Sequence, residues 1–389
     1  MDQEKPFRNI IEKIAREYNY NDYSIKVTPI SSGGSNYTSV LYTGTISAPD
    51  KEDLQLFAKT AAFGAKLREE APVTLFDTER FAYEELAKLF SKIEDKHKIP
   101  EEDRLILSKY YGSNSNVFEE TIVLENLCEK GYTLHDRLKS VDWPYASKAV
   151  EVLAKFHALS MCLAEKYPDT FKRYCEHLKS SLESLAINFS KGFELFLPYS
   201  IEEVNDKNKE KLKAFFNKED NTIESQFKPV RRTVFAHGDY RPSNLMHRNN
   251  EDGSVDVIPV DLQTVMPSSG VIDLLYFIFT GTDGAFRQQY YSRLVDHYYA
   301  SISRMLRAYG LNPDKVYPRE DFDFELQERL PYGLIAAAFV LPIVTVEVAD
   351  APTLGNDELD LASLKIKTGK AFPERINDVV EDFVAWGRL

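Results

Sequence analysis

His237, Gly238, Asp239, Tyr240, Arg241, Pro242, Ser243 and Asn244 run consecutively, and Asp261 follows the apolar run Val257-Ile258-Pro259-Val260. An aspartate, an asparagine five residues on and a second aspartate from a nearby strand suit phosphoryl transfer. Asp239 can orient a hydroxyl and take its proton, while Asn244 and Asp261 offer hard oxygen ligands to Mg²⁺. A carboxylate at the end of an apolar strand is costly to bury without a cation, which favours a functional reading of Asp261. The apolar Val234-Phe235-Ala236 delivers the first group at a strand end. His237 reads as a support for the loop through hydrogen bonds rather than as the base. His157, within Ala154-Lys155-Phe156-His157-Ala158, falls on the buried stripe of its helix and reads as a satisfied core histidine.

Phosphoryl transfer also needs a cradle for the donor's phosphates, and the first 130 residues hold the pieces. Lys59 ends the run Leu54-Gln55-Leu56-Phe57-Ala58-Lys59, and Glu79 stands on the next helix. A strand lysine held by a helix carboxylate can reach ATP phosphates. Glu84 and Glu85 are alternative partners on that helix. Small residues at Gly33, Gly34, Ser35 and Asn36 let backbone N–H groups approach a phosphate. Taken alone, that run is more simply a hairpin loop. It is not a Walker A loop, because no Gly-Lys-Ser/Thr follows. Thr121 to Leu127 ends the sheet. Backbone groups near Glu125 and Leu127 can meet an adenine edge, and the same run reads locally as an edge strand leaving a sheet.

These groups need elements to hold them. Phe7, Ile10, Ile11, Ile14 and Tyr18 share one stripe of a helix over 7–18. Strands are expected at Tyr23–Ile30, Val40–Ile46, Leu54–Thr60, Arg104–Tyr111 and Thr121–Leu127, with a helix at Phe76–Phe90. From Tyr145 helical periodicity dominates, beginning with Ala149, Val150, Leu153 and Phe156. Strand-like Thr233–His237 and Val255–Leu262 interrupt it, and Glu202–Asn221 is charged enough for a solvated helix and loop. The fold class is therefore α+β and bilobal. Residues 1–127 form a small nucleotide-binding lobe of antiparallel sheet plus helix. Residues 128–389 form a larger, mostly helical lobe with the catalytic loop, the metal site and an acceptor pocket.

Composition narrows the partners. The 389 residues carry a net charge of −13, which argues against nucleic acid as a partner, since phosphate recognition needs concentrated positive charge. The longest apolar run, 333–346, is too short to span a membrane and contains Pro342. The charged Met1–Arg8 shows no signal peptide. Three cysteines without close spacing read as reduced thiols, so a cytoplasmic location is expected. No protein partner is implied.

Only Leu262–Ile272 separates Asp261 from Asp273 and the apolar helix Leu274–Phe279, and there is no Asp-Phe-Gly and no Ala-Pro-Glu. A peptide-docking activation segment has no room. The long helical stretch before His237 instead suits a small acceptor. With this order of motifs the chain resembles the protein-kinase-like fold of aminoglycoside phosphotransferases and choline kinases. More narrowly it resembles the ecdysteroid kinase-like family. The resemblance is carried by 76–83, Leu124-Glu125-Asn126-Leu127, Glu129-Lys130-Gly131-Tyr132, 154–160, 237–246, Val260-Asp261-Leu262-Gln263 and Asp273-Leu274-Leu275-Tyr276-Phe277. It implies ATP- and Mg²⁺-dependent phosphorylation of a hydroxyl on an ecdysteroid. It would make Lys59 and Glu79 the phosphate-binding pair, Asp239 the base, and Asn244 and Asp261 the metal ligands. Two positions depart from the family pattern. Leu262 replaces a usual Phe, and Arg241 stands where Trp is frequent, beside the acceptor. The alternatives are a kinase of phenols or glycosides, a kinase of a cationic acceptor such as choline or an aminoglycoside, and a non-catalytic carrier. The intact Lys59, Glu79, Asp239, Asn244 and Asp261 oppose the last.

Overall fold

The computed structural model describes residues 4–31, 39–62, 74–350 and 366–389. The turn residues Gly33, Gly34, Ser35 and Asn36 lie outside the described residues.

The N-terminal part is an antiparallel sheet backed by helix α1, Lys5–Glu17. Its strands β1 (Ser24–Ile30), β2 (Ser39–Ala48) and β3 (Lys51–Ala61) come first. Strands β4 (Tyr110–Asn114) and β5 (Thr121–Glu125) complete it, in the order β1-β2-β3-β5-β4. The side-chain period of two sorts β3 between two cores. Leu56 and Ala58 pack with Phe7, Ile11 and Ile14 of α1. Lys59 therefore points to the opposite face, beside its cross-strand partner Ile122, which belongs to the main core. That face is covered by helix α2, built of Leu75–Phe81, a π-helical turn Ala82–Ala87 and Lys88–His97.

The rest is largely helical. After a one-turn 3₁₀ segment, Leu127–Lys130, and the short strand β6 (Thr133–Leu134) come helices α3 (Trp143–Lys166), α4 (Pro168–His177) and α5 (Lys179–Glu203). Strands β7 (Val234–Ala236), β8 (Leu245–Asn249), β9 (Val255–Pro259) and β10 (Met266–Ser268) interrupt them. Helices α6 (Val271–Gly281), α7 (Gly284–Ala308), α8 (Arg319–Val344) and α9 (Phe372–Ala385) follow. β7 pairs with β10, while β8 pairs with β6 and β9. One apolar core runs from α2 through α3 to α9, so the two parts form a bilobal α+β molecule.

Several elements differ from the sequence expectation. Arg104 to Lys109 is not a strand; β4 begins at Tyr110. The end of α2 captures that segment instead: Leu105 N–H donates to Glu94, and the Arg104 guanidinium reaches Asp95 and the Ile99 carbonyl. Side chains that occupy the backbone donors this way compete with ladder pairing. The helix expected over 76–90 runs on to His97, ending at Lys98 in the left-handed conformation. β8 and β10 were not foreseen, because Met246-His247-Arg248 and Met266-Pro267-Ser268 lack the alternation that marks a strand.

Candidate active site

Lys59, Glu79 and Asp261 meet. The Lys59 ammonium donates to both Glu79 carboxylate oxygens at 3.0 Å and also to Asp261 Oδ1. Lys59 is 8% and Glu79 1% exposed, so the pair is shielded from solvent. Burial alone would push the lysine pKa down. Asp261 and then Glu79 outweigh that and hold it above the ordinary value, so Lys59 is a fixed cation. Burial likewise raises the two carboxyls. For Glu79 it prevails over the attraction of Lys59, and the pKa is raised. For Asp261 the attraction of Lys59, then of Arg241 and His237, prevails, and the pKa is lowered. Asp261 is thus the ionised partner at the mouth of the pair. Its backbone is left-handed, at φ 66°, a conformation that non-glycine residues rarely adopt and that clusters at functional sites.

The loop after β7 is held from below by a buried carboxylate. Asp273, 1% exposed on α6, accepts from the His237 N–H at 2.6 Å and the Gly238 N–H at 2.9 Å. Its third bond is to His157 Nε2 at 3.0 Å, and His157 Nδ1 meets the Tyr298 hydroxyl at 2.6 Å. His157 is fully buried and satisfied, as its position on the helix predicts. Gly238 has φ +84°, and an added Cβ would lie 2.4 Å from the Thr264 carbonyl oxygen, so the chain turns here only with glycine. His237 Nε2 meets the Val260 carbonyl at 3.0 Å, and the Val260 N–H donates to the Asn244 carbonyl at 2.9 Å. These bonds tie the strand that carries Asp261 to the loop that carries Asp239 and Asn244. His237 is a brace, as expected.

Asp239 is fixed from both sides. Its Oδ1 accepts from the Tyr276 hydroxyl at 2.7 Å and from Arg241 Nε at 2.9 Å. Its Oδ2 accepts from Asn244 Nδ2 at 2.7 Å. With Nδ2 turned to Asp239, the Asn244 amide has its oxygen left as a hard acceptor. Asp261 offers a carboxylate beside it, with Gln263 Nε2 at 3.3 Å from Oδ2. Two oxygen donors suit Mg²⁺, which rarely uses an all-protein cage and usually keeps several waters.

Asp239 lines a cavity of about 300 Å³, within the usual range for small-molecule sites. Leu185 and Phe189 of α5 form one wall and Phe339, Val340 and Ile343 of α8 the other; Arg241 and Tyr276 join Asp239 at the polar end. In the sequence, helical segments such as 274–279 and 334–346 read as possible walls of an apolar pocket, with ordinary core packing the simpler reading for most of their residues; α5 carries no such signal. For Tyr276 itself the signal would have been an aromatic hydroxyl one turn from Asp273 on an otherwise apolar helix. Of the apolar stretch 274–279 only Tyr276 reaches the cavity; the rest is core, as most of 334–346 is. Glu84 and Glu85 do not reach Lys59: they accept from Tyr110 and Tyr174 hydroxyls.

The connector is more self-contained. Glu125 pairs with Lys130; its N–H donates to the Lys109 carbonyl at 2.8 Å and its own carbonyl accepts from Ser108 Oγ at 3.3 Å. The Leu127 carbonyl accepts from the Tyr132 N–H at 3.2 Å, and its side chain is buried.

The family model described as "Ecdysteroid kinase-like family" matches residues 33–311, a span that includes Lys59, Glu79, Asp239, Asn244, Asp261 and Asp273. No curated protein matches the chain. Among solved structures it is similar to "Glucosamine kinase (crystal form A)", at 11% identity and a TM-score of 0.40, covering 99% of this chain and 84% of that one. That likeness is too distant to inform the acceptor.

Proposed function

We propose that this chain, which belongs to the ecdysteroid kinase-like family, transfers the γ-phosphoryl group of ATP to a hydroxyl of an apolar small molecule, an ecdysteroid being the first choice. The observation that carries this reading is Asp239, held by Tyr276, Arg241 and Asn244 at the polar end of an apolar cavity. A carboxylate in that position can orient the acceptor hydroxyl and accept its proton.

In this reading ATP supplies the phosphoryl group and Mg²⁺ neutralises charge developing on it. Asn244 and Asp261 would hold the metal through their oxygens, and Lys59 would meet the donor phosphates. Glu79 keeps the Lys59 ammonium on the sheet face that looks toward Asp261. Asp273 and His157 set the loop beneath Asp239, so the base and the metal ligands arrive pre-organised. The walls from α5 and α8 exclude water and match an apolar skeleton, with selectivity left to the few polar groups at the end. We also read residues 1–127 and 128–389 as the donor-binding and acceptor-binding lobes.

The test is ATP consumption with Mg²⁺ against ecdysone, 20-hydroxyecdysone, choline, an aminoglycoside and several phenols and glycosides, the added phosphate followed by mass spectrometry. Turnover of ecdysteroids supports the full reading. Turnover of phenols or glycosides alone keeps the kinase and moves the acceptor. Absence of transfer to any acceptor, with ATP bound, contradicts it.

A further inference from the structure

Arg241 is the cation of the site with donors to spare. The Lys59 ammonium has three donors, and the two Glu79 oxygens and Asp261 match all of them. A guanidinium has five. In Arg241 the Nε donates to Asp239 Oδ1 at 2.9 Å and Nη1 donates to Ser243 Oγ, while Nη2 has no partner among the described residues. Nη2 is not sealed in: the side chain keeps 14% of its surface and lines both the cavity and a smaller cleft beside it.

The sequence dictates this placement. A proline restricts the residue before it to extended backbone, and Arg241, ahead of Pro242, has φ −131° and ψ 158°. Alternate side chains of an extended chain share a face. Tyr240 therefore points the other way, fully buried, with its hydroxyl donating to the Ala149 carbonyl at 2.7 Å. Asp239 and Arg241 are left together on the cavity side. Burial alone would lower the arginine pKa. Asp239, then Tyr276 and Asp261, hold it above the ordinary value, so the charge is permanent. Asp261, raised by burial, is brought down by Lys59 and then by Arg241. One guanidinium thus acts on both Asp239 and Asp261.

Building on the kinase reading above, we infer that Arg241 is a further catalytic residue, which keeps Nε on Asp239 and presents Nη2 to the oxygens of the phosphoryl group in transfer. In that step the acceptor oxygen bonds to the γ-phosphorus and gives its proton to Asp239, and the electron pair of the broken bond leaves with ADP. Charge spreads over the equatorial oxygens of the transferred group, and planar guanidinium donors match such oxygens. The apolar walls lower the local dielectric, so a cation there counts for more than at an open surface. A role confined to holding Asp239 would use Nε alone.

The experiment measures ADP binding to the full-length protein by calorimetry with Mg²⁺, with and without aluminium fluoride, which stands in for the phosphoryl group in transfer. No acceptor is added, so its identity does not enter. Wild type should bind ADP at least about a hundred-fold more tightly with aluminium fluoride. Arg241→Gln should lose at least about ten-fold of that gain while binding ADP alone within about two-fold of wild type, and Arg241→Lys should keep part of the gain. Binding of ADP alone also shows that each variant is folded. Asp239→Asn keeps an acceptor for Nε but removes the base, and adding Arg241→Gln to it should cost the same factor again. A gain untouched by Arg241→Gln, or a loss that vanishes in Asp239→Asn, overturns the contact with the phosphoryl group and leaves Arg241 a positioning residue. No gain in wild type, with ADP bound, overturns it as well. Failure of wild type to bind ADP at all contradicts the kinase reading itself, and the role of Arg241 falls with it.

Discussion

Replacing Lys59 by methionine removes the one cation from a buried trio and leaves Glu79 and Asp261 facing each other. At 3.0 Å and an effective dielectric near 20, each ion contact is worth about 5–6 kcal/mol before desolvation is subtracted. Taking one partner from a buried pair typically costs about 3–5 kcal/mol, and that is the loss expected for Lys59→Met in denaturant unfolding at pH 7.5. Glu79→Gln in the same chain removes the stranded charge, so the double variant should recover about 2 kcal/mol, a coupling that distant sites do not show. The pH dependence has a definite sign. Asp261 is ionised more readily in the wild-type fold than its ordinary 3.8, so wild type loses that stabilisation as pH falls through the lowered folded value. In Lys59→Met both carboxyls are raised instead, and the variant gains relative to wild type as the pH drops. The deficit should therefore shrink between pH 7.5 and pH 5. A Lys59→Met protein within about 1 kcal/mol of wild type, or additive behaviour with Glu79→Gln, would refute the claim that this trio is a coupled buried network.

Other expectations follow from single contacts. Tyr276→Phe deletes one donor to Asp239 while keeping the ring, and should lower kcat about ten-fold, equivalent to about 1.4 kcal/mol, with little change in the KM for ATP; an unchanged kcat would show that Asp239 needs no such support. Gly238→Ala forces a Cβ against the Thr264 carbonyl at φ +84° and should destabilise by at least about 2 kcal/mol, read by thermal unfolding. Glu94, pushed up to about 7 by burial, holds its proton better folded than unfolded. Stability should fall as pH rises from about 4.5 to 7 on its account, and Glu94→Gln should raise the melting temperature at pH 8 and leave it nearly unchanged at pH 5.

Most residues of the candidate site could be grouped from the sequence because they sit in short runs. Asp239 and Asn244 share one loop, and Asp261 closes an apolar strand, so spacing alone could group them. Lys59 was assigned a carboxylate partner correctly in position, since period-two alternation on β3 and the next helix leave few choices. The sequence did not show that Asp261 also reaches Lys59, a contact across 202 residues that depends on how the two parts close. The cavity proposed for the acceptor was least legible. Of its lining, Tyr276 falls in 274–279 and the α8 residues in 334–346, runs that read as either pocket or core, while the apolar residues of α5 look like any core stripe. Arg104–Lys109 was misread as strand because its β-like composition could not reveal that Glu94 and Asp95 hold its backbone and its arginine. The glycine turn at 33–36 lies outside the described residues, which leaves Lys59 as the proposed donor-phosphate contact.

The most direct measurement is phosphoryl transfer from ATP to an apolar hydroxylated acceptor by wild type and by Asp239→Ala, with ATP binding measured on both. The account predicts that wild type yields a phosphorylated product and that Asp239→Ala loses at least about a hundred-fold in turnover while still binding ATP. Comparable transfer by the variant would contradict the role of Asp239, and with it the reading of the cavity as the acceptor site.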